Sequence, residues 1–175
     1  MATNTKIDPT AHTPVEGAKD RTEGHVWLQR MVGEWTTEGE ATMPDGSKDT
    51  TTGKESVRKL GEYWVVSEAT ASMPGDDEEG TMIVSLGFDR HKGRFVGSWV
   101  GSMMMNLWVY DGELDADGTL HLDTEGEDMA DETKTAPYRD SIHWESDDVR
   151  TLTSHYKDEK GEWQPFMTVR STRVK

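Results

Sequence analysis

The 175-residue chain contains no cysteine, which excludes disulfides, thiolate nucleophiles, thiolate zinc sites and iron–sulfur ligation together. It is also short of positive charge. Nineteen Lys and Arg stand against 34 Asp and Glu, a formal net charge of −15, so no basic face is expected for nucleic acid or for an anionic membrane. No apolar run nears the ~18 residues that a membrane-spanning helix needs. The polar opening MATNTKIDPTAHTPVEGAKD lacks the apolar middle of a signal peptide, and a cytoplasmic protein is the expectation.

Helical periodicity is scarce as well. In HVWLQRMVGEW, the spacing of Trp27, Leu28, Met31 and Val32 predicts one short helix ended near Gly33. Beyond it, turn residues recur at short intervals: Pro44 to Ser47, Leu60-Gly61, Pro74 to Gly80, Asp89 to Gly93, Gly101 to Asn106, Asp115 to Gly118, Gly126 to Pro137, Ser146 to Asp148, and Asp158 to Gly161. Nine connections delimit ten strands. Between them the residues alternate, as at Met82, Val84, Leu86 and Phe88, which are apolar at every second position. Ten sequential antiparallel strands are most simply satisfied by an all-β up-and-down barrel, because closure removes exposed edges. A two-sheet sandwich is the alternative. The barrel would occupy residues 23–175 as one domain, with the short helix as its cap, behind a flexible tail over residues 1–22.

The run Trp27-Leu28-Gln29-Arg30-Met31-Val32-Gly33-Glu34-Trp35-Thr36 resembles a bacterial family known as domain of unknown function 1579. The similarity continues through Leu86-Gly87-Phe88-Asp89, Gly97-Ser98-Trp99-Val100-Gly101-Ser102-Met103-Met104 and Leu107-Trp108-Val109-Tyr110-Asp111-Gly112, then Tyr138-Arg139-Asp140, Leu152-Thr153-Ser154-His155 and Phe166-Met167-Thr168. It covers roughly Trp27 to Arg173. The resemblance implies a calycin-like, lipocalin-like barrel and supplies no reaction or functional residues. Gly33-Glu34-Trp35 is also similar to the first-strand Gly-x-Trp of lipocalins and of the nitrobindin haem barrels, although Thr36-Thr37-Glu38-Gly39 departs from the latter. That likeness implies an arginine of the last strand stacked on Trp35 to close the barrel, Arg170 first and Arg173 in reserve.

Hairpin pairing then assigns faces, since residues opposite one another share a side of the sheet. Centring one hairpin on Asp147-Asp148 pairs Asp140 with His155 and Trp144 with Thr151 on an inner face, and leaves Arg150 outside with Glu145. Centring the next on Asp158 to Gly161 sets Gln164 opposite His155 and Phe166 opposite Thr153, with Arg170 on the same face. A third, around Asp89 to Arg94, pairs Phe88 with Phe95, Leu86 with Gly97 and Val84 with Trp99. The expected interior therefore has an apolar wall of Phe88, Phe95 and Trp99, with Trp144 and Phe166, and a polar wall of Asp140, His155 and Gln164.

Asp140 with His155 is the candidate catalytic constellation, a carboxylate orienting an imidazole base. No Gly-x-Ser-x-Gly elbow supports a hydrolase. A lone cavity histidine could ligate haem, His155 first and His121 or His143 after it, but no cofactor is assigned, and no histidine spacing predicts a metal site. Between Asp111 and Glu132 there are ten acidic residues and no Lys or Arg. Glu113-x-Asp115-x-Asp117-Gly118 resembles half a calcium loop, yet Thr124 occupies the position of the bidentate glutamate, and a solvated Asp-Gly hairpin explains the run. Met103-Met104-Met105 suits an adaptable apolar rim or a homodimer contact. The reading as a whole is a barrel that binds a small, partly apolar molecule inside. An enzyme using Asp140 and His155, and a structural or dimerising module, are the alternatives.

Overall fold

A computed structural model describes residues 21–43, 46–73, 78–129 and 131–174. The tail expected over residues 1–22 lies outside these but for its last two residues, where Arg21 ion-pairs with Glu62 at 3.5 Å and Thr22 caps a helix.

That helix, α1 (Glu23–Gln29), is followed by ten strands: β1 (Gly33–Thr42), β2 (Lys48–Leu60), β3 (Trp64–Ser72), β4 (Glu79–Asp89), β5 (Arg94–Gly101), β6 (Trp108–Leu114), β7 (Leu120–Asp128), β8 (Asp131–Ser146), β9 (Val149–Lys157) and β10 (Trp163–Arg173). Each strand pairs antiparallel with the next and β10 pairs with β1, closing the barrel. The helix begins four residues before the apolar cluster that announced it and ends within it, after Leu28, and Gly33 opens β1 instead of ending α1. Its φ of 147° is one an L side chain rarely adopts. A Cβ there would also collide with the Arg173 guanidinium. The acidic hairpin turns as expected at Asp115 to Gly118, with Gly118 at φ 80°.

Three hairpin registers follow from turn chemistry with different success. The β4–β5 pairing is as expected, with Phe88 opposite Phe95, Leu86 opposite Gly97 and Val84 opposite Trp99. The β8–β9 pairing is shifted by one: Asp140 faces Ser154, and Arg139 faces His155, because the register slips between Trp144 and Ser146 beside the turn. The β9–β10 pairing is also shifted by one from the turn onward, with Gln164 opposite Tyr156 instead of His155, and a second irregularity between Pro165 and Met167 takes Phe166 out of register with Thr153 and sets Arg170 opposite Thr151. One extra residue moves every following side chain to the other face.

Helix α1 closes one end of the barrel. Trp27, Leu28 and Met31 are buried there with Trp35, Val57, Val65, Leu86, Phe95, Leu120, Leu122 and Ile142. Trp27 reaches across to donate to the Gly118 carbonyl at 3.3 Å and meets Phe95 and Trp144 edge-on. At the opposite end no helix covers the opening among the described residues. Inward positions such as Thr37, Ala69, Val84, Trp99, Trp108 and Thr124 are only partly buried there.

Candidate functional site

The polar centre of the interior is Asp140 on β8. Ser154 on β9, directly opposite, donates its hydroxyl to Asp140 Oδ1 at 2.6 Å. Tyr110, two strands away on β6, donates to Oδ2 at 2.5 Å. Burial pushes the Asp140 carboxyl above its ordinary range, opposed by these two hydrogen bonds and by the charge of His155. Tyr110 is raised well above the usual phenol value by burial, the Asp140 charge and the hydrogen bond.

An arc of aromatic rings runs from this point to the open end. Trp99 meets Trp108 at a centroid distance of 6.3 Å, Trp108 meets Tyr138 at 5.2 Å, and Tyr138 meets Phe166 at 6.2 Å, all edge-to-face. Tyr138 is fixed by donating its hydroxyl to the Glu127 carbonyl at 2.6 Å. Trp108 Nε1 and Thr124 Oγ1 are buried yet find no hydrogen-bond partner among the described residues, although buried donors and acceptors are nearly always paired.

Deeper in, Glu55 of β2 and Arg150 of β9 form a buried ion pair at 2.6 Å, with side chains 13% and 5% exposed. Ser67 Oγ donates to the same glutamate at 2.6 Å. The Arg150 guanidinium also lies 4.5 Å from the Trp35 ring centroid. The stacking expected of Arg170 is made instead by Arg173, 4.1 Å from that ring, which also donates to the Val32 carbonyl at 2.7 Å. Arg170 is on the outside, paired with Glu145 at 3.0 Å.

The expected residues thus divide. Trp99 and Phe166 are joined through Trp108 and Tyr138 in the open half, Asp140 lies inward beside Ser154 and Tyr110, and Gln164 sits near the mouth, donating to Asp158 at 2.9 Å. Phe88, Phe95 and Trp144 belong to the closed end, around α1. His155 is turned away from the interior by the slipped register, its Nδ1 3.2 Å from the Arg139 carbonyl, so the Asp140–His155 pair does not form. His121 lies between Ser141 and Asp115, and His143 contacts Thr119; neither faces the interior. Among the described residues no group of three or more His, Asp or Glu is placed to hold a metal ion. Asp115 spends its carboxylate on the backbone N–H groups of Asp117 and Thr119 within its own turn.

Glu55, Ser67, Tyr110, Thr124, Arg150 and Ser154 were not anticipated as interior residues. The signal for Glu55 was available, since it is the polar member of the inward series that continues to Val57. Two clefts, of about 260 Å³ beside His25, Tyr63 and His91 and about 490 Å³ along Thr36, Thr37, Thr52 and Lys54, involve neither Asp140 nor the Glu55–Arg150 pair.

With this geometry in view, the comparisons are informative about fold and silent about chemistry. The family described as "Protein of unknown function (DUF1579)" matches residues 20–173. The chain belongs to this family. Among solved structures, this DUF1579 protein is similar to Rv2717c from M. tuberculosis, with a TM-score of 0.60 and 11% identity over 89% of this chain and 100% of that one. It is similar to the S-type phycobiliprotein lyase CPES from Guillardia theta, with a TM-score of 0.57 and 16% identity over 86% of this chain and 92% of that one. No curated protein matches. Both structural likenesses span nearly the whole barrel, and the fold is that of the calycin-like proteins.

Proposed function

We propose that this DUF1579 protein binds one small, partly apolar molecule in the half of the barrel opposite α1. The observation that carries the reading is the pair of buried, unpartnered polar atoms, Trp108 Nε1 and Thr124 Oγ1, among the inward side chains of the open half. Thr37, Ala69, Val84, Trp99 and Trp108 are partly reached by solvent there, although Ala41 and Tyr138 are buried. Barrels of this size commonly hold one small ligand among inward side chains. The aromatic arc supplies apolar contact area, and Asp140, Trp108 Nε1 and Thr124 Oγ1 supply a few convergent polar groups, the usual composition of a binding site. Binding is preferred to acid–base catalysis because the Asp140–His155 pair does not form: Asp140 faces Ser154, and His155 lies against the Arg139 carbonyl on the outer side.

Native mass spectrometry of the purified protein tests this. The expected result is a non-covalent adduct that disappears on denaturation and is missing from Ala69→Phe, which fills the open half from an inward position on β3. An adduct that persists in Ala69→Phe would place the molecule elsewhere and overturn the reading.

A further inference from the structure

The interior carries an unbalanced negative charge. In the middle of the barrel the charged inward residues are Glu55, Arg150 and Asp140. The first two neutralise one another at 2.6 Å, whereas Asp140 meets only the hydroxyls of Ser154 and Tyr110. Each hydroxyl has given its one proton to the carboxylate, and each oxygen retains acceptor capacity. The neighbouring cations are committed elsewhere. Arg139, next in sequence, points outward and holds Asp123 through two bonds of 2.6 and 2.9 Å. His155 faces the Arg139 carbonyl from the outer side, and the flanking inward positions on β7 and β9 are Leu122 and Leu152. Arg173 serves the α1 end, where it bonds the Val32 and Arg30 carbonyls.

Other groups of the open half favour positive charge as well, although the unpartnered Trp108 Nε1 is a donor and would be met by an acceptor on the ligand or a water. The rings of Trp99, Trp108 and Tyr138 present the electron-rich faces that attract cations. Thr124 Oγ1 is an unpartnered, buried acceptor. The molecule's net charge of −15 concentrates cations around it and depletes anions. An anionic head group would meet Asp140 as a like charge, and a purely apolar ligand would strip water from the carboxylate without compensation, a costly arrangement.

We infer that the ligand is a hydrophobic cation, an apolar body bearing a protonated amine or quaternary ammonium that pairs with Asp140 against the Trp99–Trp108–Tyr138 wall. This rests on the binding reading above and names its chemical class. Burial raises the Asp140 carboxyl, and an ammonium beside it would draw that value back down. Affinity for the cation should therefore climb as pH rises through the titration of Asp140 and then level off.

The test is calorimetric titration with three probes of equal chain length, octylammonium, octan-1-ol and octanoate, on the wild type and Asp140→Asn. The expected order in the wild type is ammonium, then alcohol, then carboxylate, with the ammonium about tenfold tighter than the alcohol. Asp140→Asn should abolish that preference by weakening the ammonium. Equal or tighter binding of octan-1-ol by the wild type would overturn the cation and leave the binding site standing, whereas no heat from any probe would overturn both. A preference that survives Asp140→Asn would assign the cation to the acidic surface instead. Should that variant not fold, the wild-type preference measured against pH decides alone: one that is flat with pH overturns the assignment.

Discussion

At the scale of single residues, the account turns on charges taken out of water. Arg150 and Glu55 are buried together, and removing one partner of such a pair leaves the other uncompensated, at a cost of about 3–5 kcal/mol. Arg150→Met should lose that much in urea unfolding, and adding Glu55→Gln should recover part of the loss. Purely additive costs would mean that the pair is not coupled. Asp140 makes a prediction of opposite character. Its folded-state pKa is raised, so the native protein holds this proton more tightly than the unfolded chain does. The resulting stabilisation is fully present below the ordinary carboxylate pKa and is lost as pH rises through the folded-state value. Asp140→Asn should therefore flatten the fall in stability across that window, as measured by thermal unfolding at a series of pH values. An unchanged slope would assign the pH dependence to other carboxylates.

At the scale of elements, α1 is the piece whose seating depends on one side chain. His25 Nδ1 lies 3.1 Å from the Thr22 N–H and accepts its hydrogen bond, in the role that Glu or Gln takes in a capping box. Burial lowers the His25 pKa, opposed by a hydrogen bond with the Phe88 backbone and reinforced by the charges of Arg21 and Arg90. Stability from the neutral ring is thus fully present above the ordinary imidazole pKa and is lost as pH falls through the lowered value. Hydrogen exchange of the α1 amides should accelerate on acidification, and His25→Gln should remove most of that dependence. Acid-insensitive exchange in the wild type would contradict it.

The elements also show how far the sequence could be read. The turn glycines and the alternation at Met82 to Phe88 were sufficient for ten strands and for the β4–β5 register, because that hairpin pairs without a bulge. The irregularities beside Trp144 and Pro165 leave no mark in the alternation, since a bulge adds a residue without changing residue type. They reversed His155, Arg150 and Arg170 together. Asp140 was found because β8 keeps its phase. Its true partners escape hairpin arithmetic because the slip beside Trp144 brings Ser154 opposite it, and Tyr110 is supplied from two strands away.

At the scale of the whole molecule, the barrel is filled by buried side chains beneath α1 and partly accessible to solvent at its other end, and the seven tryptophans are distributed so as to report on both. Trp27, Trp35 and Trp144 surround the closed end, and Trp99 and Trp108 line the open half. Trp163 stacks outside on Arg139 and Lys157, and Trp64 is exposed at 38%. The most direct measurement is therefore an NMR titration of the indole N–H resonances of the full chain with octylammonium, the signals assigned by single Trp→Phe variants. The account predicts saturable shifts at Trp99 and Trp108, while the Trp27, Trp35, Trp64 and Trp163 signals stay in place. Shifts confined to Trp64 or Trp163, or none at any indole, would contradict binding within the barrel.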